Sequence, residues 1–305
     1  MEIKHLKNNQ INFVRWDNCI NTAFNGNIFA YSWYLNSICN DWEALVMGDY
    51  KYIMPLLTKK IFHKEIVFSS VLCKYLGVFT NELLTEDILI KFLEAIPPEK
   101  KWVQINLNKF NYFRNEKYKT LTTHEIDIIL PYSKISERYS NIFQKDLQYS
   151  KKNKISVLQG LSPNDLIKFI TAKKTFSYPS LQKKDINQLR MLMAYGMRYN
   201  LSEVYAAYTA ENNLCALALF MLSKNKIYVV LSAANPWGLK TNAFYAIIDK
   251  FIQKHCEKNV TLNIENLIVK NKPDFFTGLG AYTLKYQQYA VSNVNWFWNI
   301  ILKRK

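Results

Sequence analysis

The order of predicted elements is the feature that most constrains the fold, because the two halves of the chain repeat it. Each half reads as helices, a β-meander, a helix and a strand that ends in polar residues. The closing strands are "VQINLNKFN" from Val103 and "VTLNIENLI" from Val260, which lie 157 residues apart (260 − 103). This offset is about half of the chain and far exceeds a solenoid repeat. Chance is the alternative, but element order, turn placement and strand endings agree and favour duplication.

Local signals support individual elements of this order. Apolar runs on either side of Gly48-Asp49 predict a β-hairpin, and Thr85 is a predicted helix N-cap. Ser162 is a second predicted N-cap, and the runs "EVYAAYTA", "LCALALFML" and "KIYVVLSAA" predict an antiparallel meander. We therefore predict an α/β (α+β) protein of two domains, 1–130 and 131–305. Each is expected to be a mixed, mostly antiparallel sheet flanked by helices.

The charge balance favours polyanionic partners. The chain has 40 Lys and Arg residues against 24 Asp and Glu residues, a formal net charge of +16. Nucleic acid, phosphorylated cofactors and anionic lipid headgroups all fit such a charge, and a Lys-rich composition with solvated faces explains it equally well. Aromatic and basic residues alternate in "KFNYFRNEKYK", a mixture that single-stranded nucleic acid binding uses. A solvated loop between two strands is the alternative there.

The spacing of cysteine and histidine and the hydropathy of the chain argue against metal, disulfide-rich and membrane proteins. The five cysteines and four histidines are scattered, without the short spacings of metal sites or disulfide frameworks. The start "MEIKHLKNNQ" has no apolar signal core, and no apolar run approaches the length of a membrane span. We expect reduced cysteines, no metal site, no transmembrane segment and a cytoplasmic location.

The segment Tyr228–Gln253, "YVVLSAANPWGLKTNAFYAIIDKFIQ", runs from a strand through a glycine-containing turn into a helix. A helix start has unpaired N–H groups and a positive dipole end, so it stabilises a phosphate. Gly238 would allow a positive φ and a close backbone approach, and Lys240 would add a charge. Thr241 or Asn242 would cap the helix or bind a phosphate oxygen. The alternative is an ordinary capped helix.

At this point the chain resembles a known family. Three antiparallel strands, a helix, a strand and a helix resemble the core of GNAT acyltransferases. "NPWGLKTNA" is similar to their pyrophosphate turn, Arg/Gln-x-x-Gly-x-Gly/Ala, with Asn235, Gly238 and Lys240 at the matching positions. Two such domains resemble the Fem-like tandem GNAT proteins, whose members include aminoacyl-tRNA-dependent peptidyltransferases that build cell-wall cross-bridges. "YSNIFQKDLQYSKKNKISV" is similar to the stretch that opens their second domain.

The resemblance implies a donor site, an acceptor side and a transfer reaction. Val229, Val230 and Leu231 would offer free backbone amides to a pantetheine arm or an acyl chain. Glu265, the only carboxylate of the next strand, would deprotonate the attacking amine, although an exposed strand-end glutamate is the alternative. The implied co-substrate is acyl-CoA or aminoacyl-tRNA, with no tightly bound cofactor. The implied acceptor is an amine, such as one on a cell-envelope precursor.

Two departures from the family pattern bear on the chemistry. "DFFTGLGAY" places Phe276 where many GNAT acetyltransferases have a tyrosine acid, and the turn lacks its usual first and last residues. Three tyrosines are candidate substitutes for that acid: Tyr282, Tyr286 and Tyr289. Of these, we predict Tyr289 as the catalytic acid. An interfacial core position is the alternative for such tyrosines. These departures favour a donor carried on tRNA. They also leave open a non-catalytic protein that binds RNA or an anionic envelope precursor.

Overall fold

Two compact units divide the chain. The structure is a computed structural model that describes residues 1–61, 63–114, 118–269 and 272–292. Unit 1 comprises Met1–Thr122 and the described residues from Lys285 onward, and unit 2 comprises Thr123–Leu284. The division into domains after residue 130 stays a prediction.

Unit 1 combines strands with three α-helices of its described residues. The strands that begin in this unit are β1 (Ile3–Leu6), β2 (Glu43–Met47), β3 (Tyr52–Leu56), β4 (Thr58–Ile61), β5 (Lys64–Val67), β6 (Phe79–Thr80), β7 (Trp102–Asn106) and β8 (Lys119–Asp127). The helices are α1 (Phe13–Thr22), α2 (Ser32–Ile38) and α3 (Glu86–Glu94), with 3₁₀ turns at Asn8–Gln10 and Ile28–Ala30.

An antiparallel sheet in the order β1-β2-β3-β6 forms part of unit 1. The predicted hairpin joins β2 to β3, with Met47 opposite Tyr52 and Gly48 at a φ of 67°. The predicted cap of α3 is confirmed, since the Thr85 hydroxyl accepts the backbone N–H of Ile88. Trp16 of α1 is fully buried and its ring lies 4.8 Å from that of Trp42.

Unit 2 contains the strands and helices that surround the predicted site. Its helices are α4 (Tyr132–Ser136), α5 (Asn141–Lys152), α6 (Pro163–Ile170), α7 (Lys183–Arg198), α8 (Pro236–Lys240), α9 (Ala243–His255) and α10 (Phe275–Gly278). The strands that begin here are β9 (Ser156–Gln159), β10 (Phe176–Tyr178), β11 (Ser202–Tyr208), β12 (Leu214–Leu222), β13 (Lys226–Ala234), β14 (Thr261–Asn263) and β15 (Tyr282–Ser292).

The sheet of unit 2 runs in the order β8-β14-β13-β12-β11-β9. The predicted meander of β11, β12 and β13 is antiparallel, whereas β14 pairs in parallel with the start of β13. One face of this sheet is apolar and packs against helices α5, α9 and α10. The predicted cap of α6 is also present, because the Ser162 hydroxyl accepts the backbone N–H of Asp165.

Each unit contains a strand, a helix and a second strand parallel to the first. In unit 1, β7 follows α3 and pairs in parallel with β5. In unit 2, β14 follows α9 and pairs in parallel with β13. The predicted fold class, mixed and mostly antiparallel sheets flanked by helices, is confirmed. The equivalence of Val103 and Val260 stays a prediction.

Candidate active site

The predicted phosphate turn is itself a short helix. The Asn235 side chain caps α8 by accepting the backbone N–H of Gly238 at 2.9 Å, and Pro236 fills its first position. Gly238 is helical and buried, so the expectation of a positive φ was wrong. A Cβ atom there would lie 2.2 Å from the backbone oxygen of Cys215 on β12. The glycine therefore permits a close approach between α8 and β12.

The residues after Gly238 have separate structural roles. The Lys240 ammonium lies over the ring of Trp237, 5.8 Å from its centroid. Thr241 is buried and its hydroxyl donates to the backbone oxygen of Trp237. Asn242 has a left-handed backbone, with a φ of 56°, and immediately precedes α9. Lys240 and Thr241 therefore both contact Trp237 of α8, whereas Asn242 lies at the start of α9.

A small cavity of about 60 Å³ lies at the start of α9. Gly238 and Asn242, both predicted site residues, line it together with Tyr245 and Lys272. Lys240 is not among the residues that line this cavity. The cation at this helix start is therefore Lys272, which the sequence motif did not identify.

A carboxylate of the protein lies beside the start of α9. Asp146 of α5 accepts hydrogen bonds from the Asn242 side chain at 3.0 Å and from the Lys272 ammonium, which lies 2.9 Å from each carboxylate oxygen. Burial, followed by a hydrogen bond to Asp146, raises the pKa of Tyr245. An anion at a helix N-terminus is stabilised by the dipole, and Asp146 supplies that anion here.

One edge of β13 pairs in parallel with β14, and this pairing ends at Tyr228. Val229 and Leu231 pair with β12 on the other edge. Side chains bridge the gap beyond: Asn266 donates to the backbone oxygen of Val230 at 3.0 Å, and Ser232 donates to the backbone oxygen of Asn266 at 2.6 Å. On this edge Val229–Leu231 have no strand partner among the described residues, and we call this stretch the splayed edge. Its Val230 carbonyl is already bonded, and its use by a donor arm stays a prediction.

A groove of about 620 Å³ lies beside this splayed edge. Strand β10, which pairs with Ser232–Ala234, forms one wall, and the segment Leu267–Val269 forms the other. Ile268 and Val269 also line the small cavity at the start of α9, so the two spaces adjoin. The residues that line the groove are apolar or carry neutral polar groups: Ile170, Thr175, Phe176, Ser177, Tyr178, Ser180, Leu181, Leu267, Ile268 and Val269.

A row of buried polar side chains crosses the sheet face opposite α5, α9 and α10. Tyr228, Asn263 and Glu125 lie side by side on β13, β14 and β8. Asn263 donates to the Thr123 hydroxyl at 2.8 Å and to Glu125 at 3.3 Å, and the Lys226 ammonium lies 2.5 Å from Glu125. Burial, and then the charge of Glu125, raises the pKa of Tyr228 well above its ordinary value. Tyr228 therefore stays protonated at neutral pH.

Glu265 lies next to this row, in the turn that follows β14. Glu265 was predicted to lie within this strand, but β14 ends at Asn263, two residues before it. Glu265 is half-buried, and its backbone N–H donates to the Asn263 side-chain oxygen at 3.3 Å. Asn263 thus connects the turn that carries Glu265 to Glu125 and Thr123.

The aromatic residues proposed from the family pattern have defined surroundings. The Phe276 ring stacks on His124, with centroids 4.1 Å apart, and burial lowers the pKa of His124. Tyr282 donates to Asp127 at 3.2 Å. Tyr289 lies on the part of β15 that belongs to unit 1, opposite Ile105, and burial raises its pKa. Its role as a general acid stays a prediction.

Among the described residues, no group of three or more His, Cys, Asp or Glu side chains is arranged to hold a metal ion. In the same part of the chain, no helix has the length and apolar character that a membrane span requires.

Comparison with known proteins identifies the fold. No protein-family model and no curated sequence matches the chain. The crystal structure of FemX matches with a TM-score of 0.61 and 12% identity, and it covers 100% of both chains. The chain has a Fem-like, GNAT-type fold. At such low identity, the Fem-like likeness concerns the fold alone.

Two other solved structures share the Fem-like fold. The C-terminal domain of a putative lysylphosphatidylglycerol synthetase from Agrobacterium fabrum matches with a TM-score of 0.52 and 8% identity, over 95% of this chain and 94% of that one. L-PGS from Bacillus licheniformis matches with a TM-score of 0.50 and 10% identity, over 86% and 88%. The predicted resemblance to the Fem-like tandem GNAT fold is confirmed.

Proposed function

We propose that the protein transfers an acyl or aminoacyl group from an activated ester or thioester to an amine. The observation that carries this proposal is the groove of about 620 Å³ beside the splayed edge of β13. Its volume lies within the range of small-molecule sites in proteins. The Fem-like fold supports the same class of reaction, because one solved structure with this fold is named as a domain of a putative lysylphosphatidylglycerol synthetase.

The reaction requires one proton to leave the acceptor and one to reach the leaving group. The amine nitrogen attacks the donor carbonyl carbon, the new C–N bond forms, and the C–O or C–S bond breaks. The nitrogen loses a proton, and the departing oxygen or sulfur gains one. We assign the base to Glu265, because it is half-buried in the turn that borders the groove segment Leu267–Val269.

Glu125 is assigned a positioning role instead. Its buried carboxylate lies 2.5 Å from the Lys226 ammonium, so this group is already engaged in an ion pair. Through Asn263, Glu125 and Thr123 fix the turn that carries Glu265. The polar row therefore holds the base in place.

The identities of donor and acceptor remain part of the proposal. The co-substrate is acyl-CoA or aminoacyl-tRNA, and the net charge of +16 supports the RNA-borne donor because basic surfaces attract polyanions. The acceptor is an amine, such as one on a cell-envelope precursor. We place the reaction in the cytoplasm, where charged tRNA and CoA thioesters occur.

A non-catalytic role is the second candidate function. The observation that favours it is the internal use of the predicted phosphate turn, since Asn235, Gly238 and Thr241 all bond within α8. Such a protein would bind RNA or an anionic envelope precursor without turnover. A transfer assay separates the two functions, because only the enzyme forms an amide product.

Filling the groove tests where the donor binds. Ser177 is half-buried and lines the groove, so Ser177→Trp should lower kcat/KM by at least about tenfold through loss of donor binding. Leu158→Trp introduces the same side chain on the exposed strand β9, outside the groove lining, and should leave kcat/KM unchanged. Equal activity of both variants, with unaltered melting temperatures, would place donor binding elsewhere.

A further inference from the structure

We infer that Asp146 excludes phosphate from the start of α9 and so selects against CoA thioesters as donors. This inference rests on the proposed function, because it concerns which donor the transfer reaction uses. It assigns a specificity-determining role to a carboxylate of α5.

The contacts of Asp146 are those that a bound phosphate would make. The Asn242 amide at 3.0 Å and the Lys272 ammonium at 2.9 Å from both oxygens donate to its carboxylate. The Tyr245 hydroxyl is hydrogen bonded to the same group. A carboxylate and a phosphate compete for such donors, because both accept charge-assisted hydrogen bonds at a helix N-terminus.

The local charge balance also opposes a second anion. The Asp146 side chain is only 16% exposed, so solvent screens its charge poorly. Lys272 is already neutralised by Asp146, and Lys240 lies against Trp237 instead of lining the cavity. Among the described residues that line the cavity, Lys272 is the one lysine and it is already paired, so a pyrophosphate here would meet the fixed negative charge of Asp146.

The remaining space is small as well. The cavity beside Asn242 and Lys272 measures about 60 Å³, whereas the adjoining groove measures about 620 Å³. The donor is therefore expected to occupy the groove without placing phosphates at the helix start. An aminoacyl ester on the 3′ end of an RNA satisfies this condition, since its phosphates do not need to bind at α9.

Calorimetric titration with CoA, and separately with inorganic pyrophosphate, tests the inference on the full chain. Wild-type protein should bind either probe at least about tenfold more weakly than Asp146→Ala, which releases Asn242, Lys272 and the helix dipole. Asp146→Asn keeps the shape of the side chain and should give an intermediate gain, which covers the case that the alanine variant does not fold. Adding Lys272→Met to Asp146→Ala should remove the gain.

Glu137→Ala is the matched control. This exposed carboxylate precedes α5, pairs with Lys134, and its loss changes the net charge by the same amount. The inference is overturned if wild type binds CoA as tightly as Asp146→Ala, or if a folded Asp146 variant binds no better than Glu137→Ala. Failure of the proposed function looks different: no donor supports transfer, while the gain of CoA binding in Asp146→Ala still occurs.

Discussion

Glu265→Gln is expected to lower kcat by about 10²–10⁴ while the affinity for donor hardly changes. Glutamine keeps the size and most hydrogen bonding of glutamate but cannot accept a proton at neutral pH. The turn should keep its conformation, because its contact with Asn263 uses the backbone N–H of Glu265. Single-turnover kinetics with saturating donor would measure the chemical step directly.

Glu257→Gln is the matched control for this experiment. Glu257 is exposed in the same unit, so its replacement removes one charge without touching the turn after β14. It should retain the wild-type kcat. An unchanged kcat in Glu265→Gln would remove Glu265 from catalysis. A loss of donor affinity at unchanged kcat would instead indicate a binding contact.

The largest effect on stability is expected at Lys100 of unit 1. Lys100→Met should lower the free energy of unfolding by about 3–5 kcal/mol, because it removes one partner of a buried ion-pair network. The Lys100 side chain is 0% exposed, and its ammonium lies 3.0 Å from Glu43 and 2.6 Å from Glu65. Urea unfolding monitored by tryptophan fluorescence would measure the difference.

Lys60→Met is the control for Lys100→Met. Lys60 also pairs with Glu65, at 3.3 Å, but its side chain is 74% exposed. Since exposed ion pairs contribute little, this change should cost less than about 1 kcal/mol. If the two variants lose equal stability, then burial of Lys100 does not determine the strength of the network.

The same network predicts the dependence of stability on acid. Burial would raise the pKa of Glu43, but hydrogen bonds from Lys7, Lys100 and His5 outweigh it and hold the pKa below its usual value of 4.5. The unfolded chain therefore takes up this proton at a higher pH than the folded protein does. The contribution of Glu43 is complete above about pH 4.5 and declines as the pH falls through the lowered value. Urea titrations across this range should show the decline.

Local sequence signals predicted the elements that depend on neighbouring residues. The hairpin at Gly48, the caps at Thr85 and Ser162 and the meander of β11, β12 and β13 were all predicted, since turn and capping chemistry acts within a few residues. Ser140 caps α5 in the same way, by accepting the backbone N–H of Phe143, and so separates α5 from the short helix α4.

The candidate site was predicted only in part, because its contacts join distant parts of the chain. Glu125 meets Asn263 across β8 and β14, a pairing that no local pattern records. The predicted domains 1–130 and 131–305 also separate β8 from β14. The sequence contains one weak signal for the role of Asp146, because this residue is the only acid of the basic helix α5.

The helix α8 was missed although its sequence contained the necessary signal. Asn235 followed by Pro236 is a typical N-cap and first helical residue, and the structure uses both in that way. The resemblance to a pyrophosphate turn led to an interpretation of the same residues as a loop. Its glycine is required by contact with Cys215, which lies on a strand 23 residues earlier (238 − 215).

A transfer assay with labelled donors tests whether the protein joins an acyl or aminoacyl group to an amine. The full chain would be incubated with tRNA charged with labelled amino acids, or with labelled acyl-CoA thioesters, together with a panel of amine acceptors. We expect label from the aminoacyl ester to appear in an alkali-stable amide, at a rate above that of the donor without protein. If no donor yields amide above that background, the proposed transfer reaction is wrong and the protein is a binding protein with an acyltransferase-like fold.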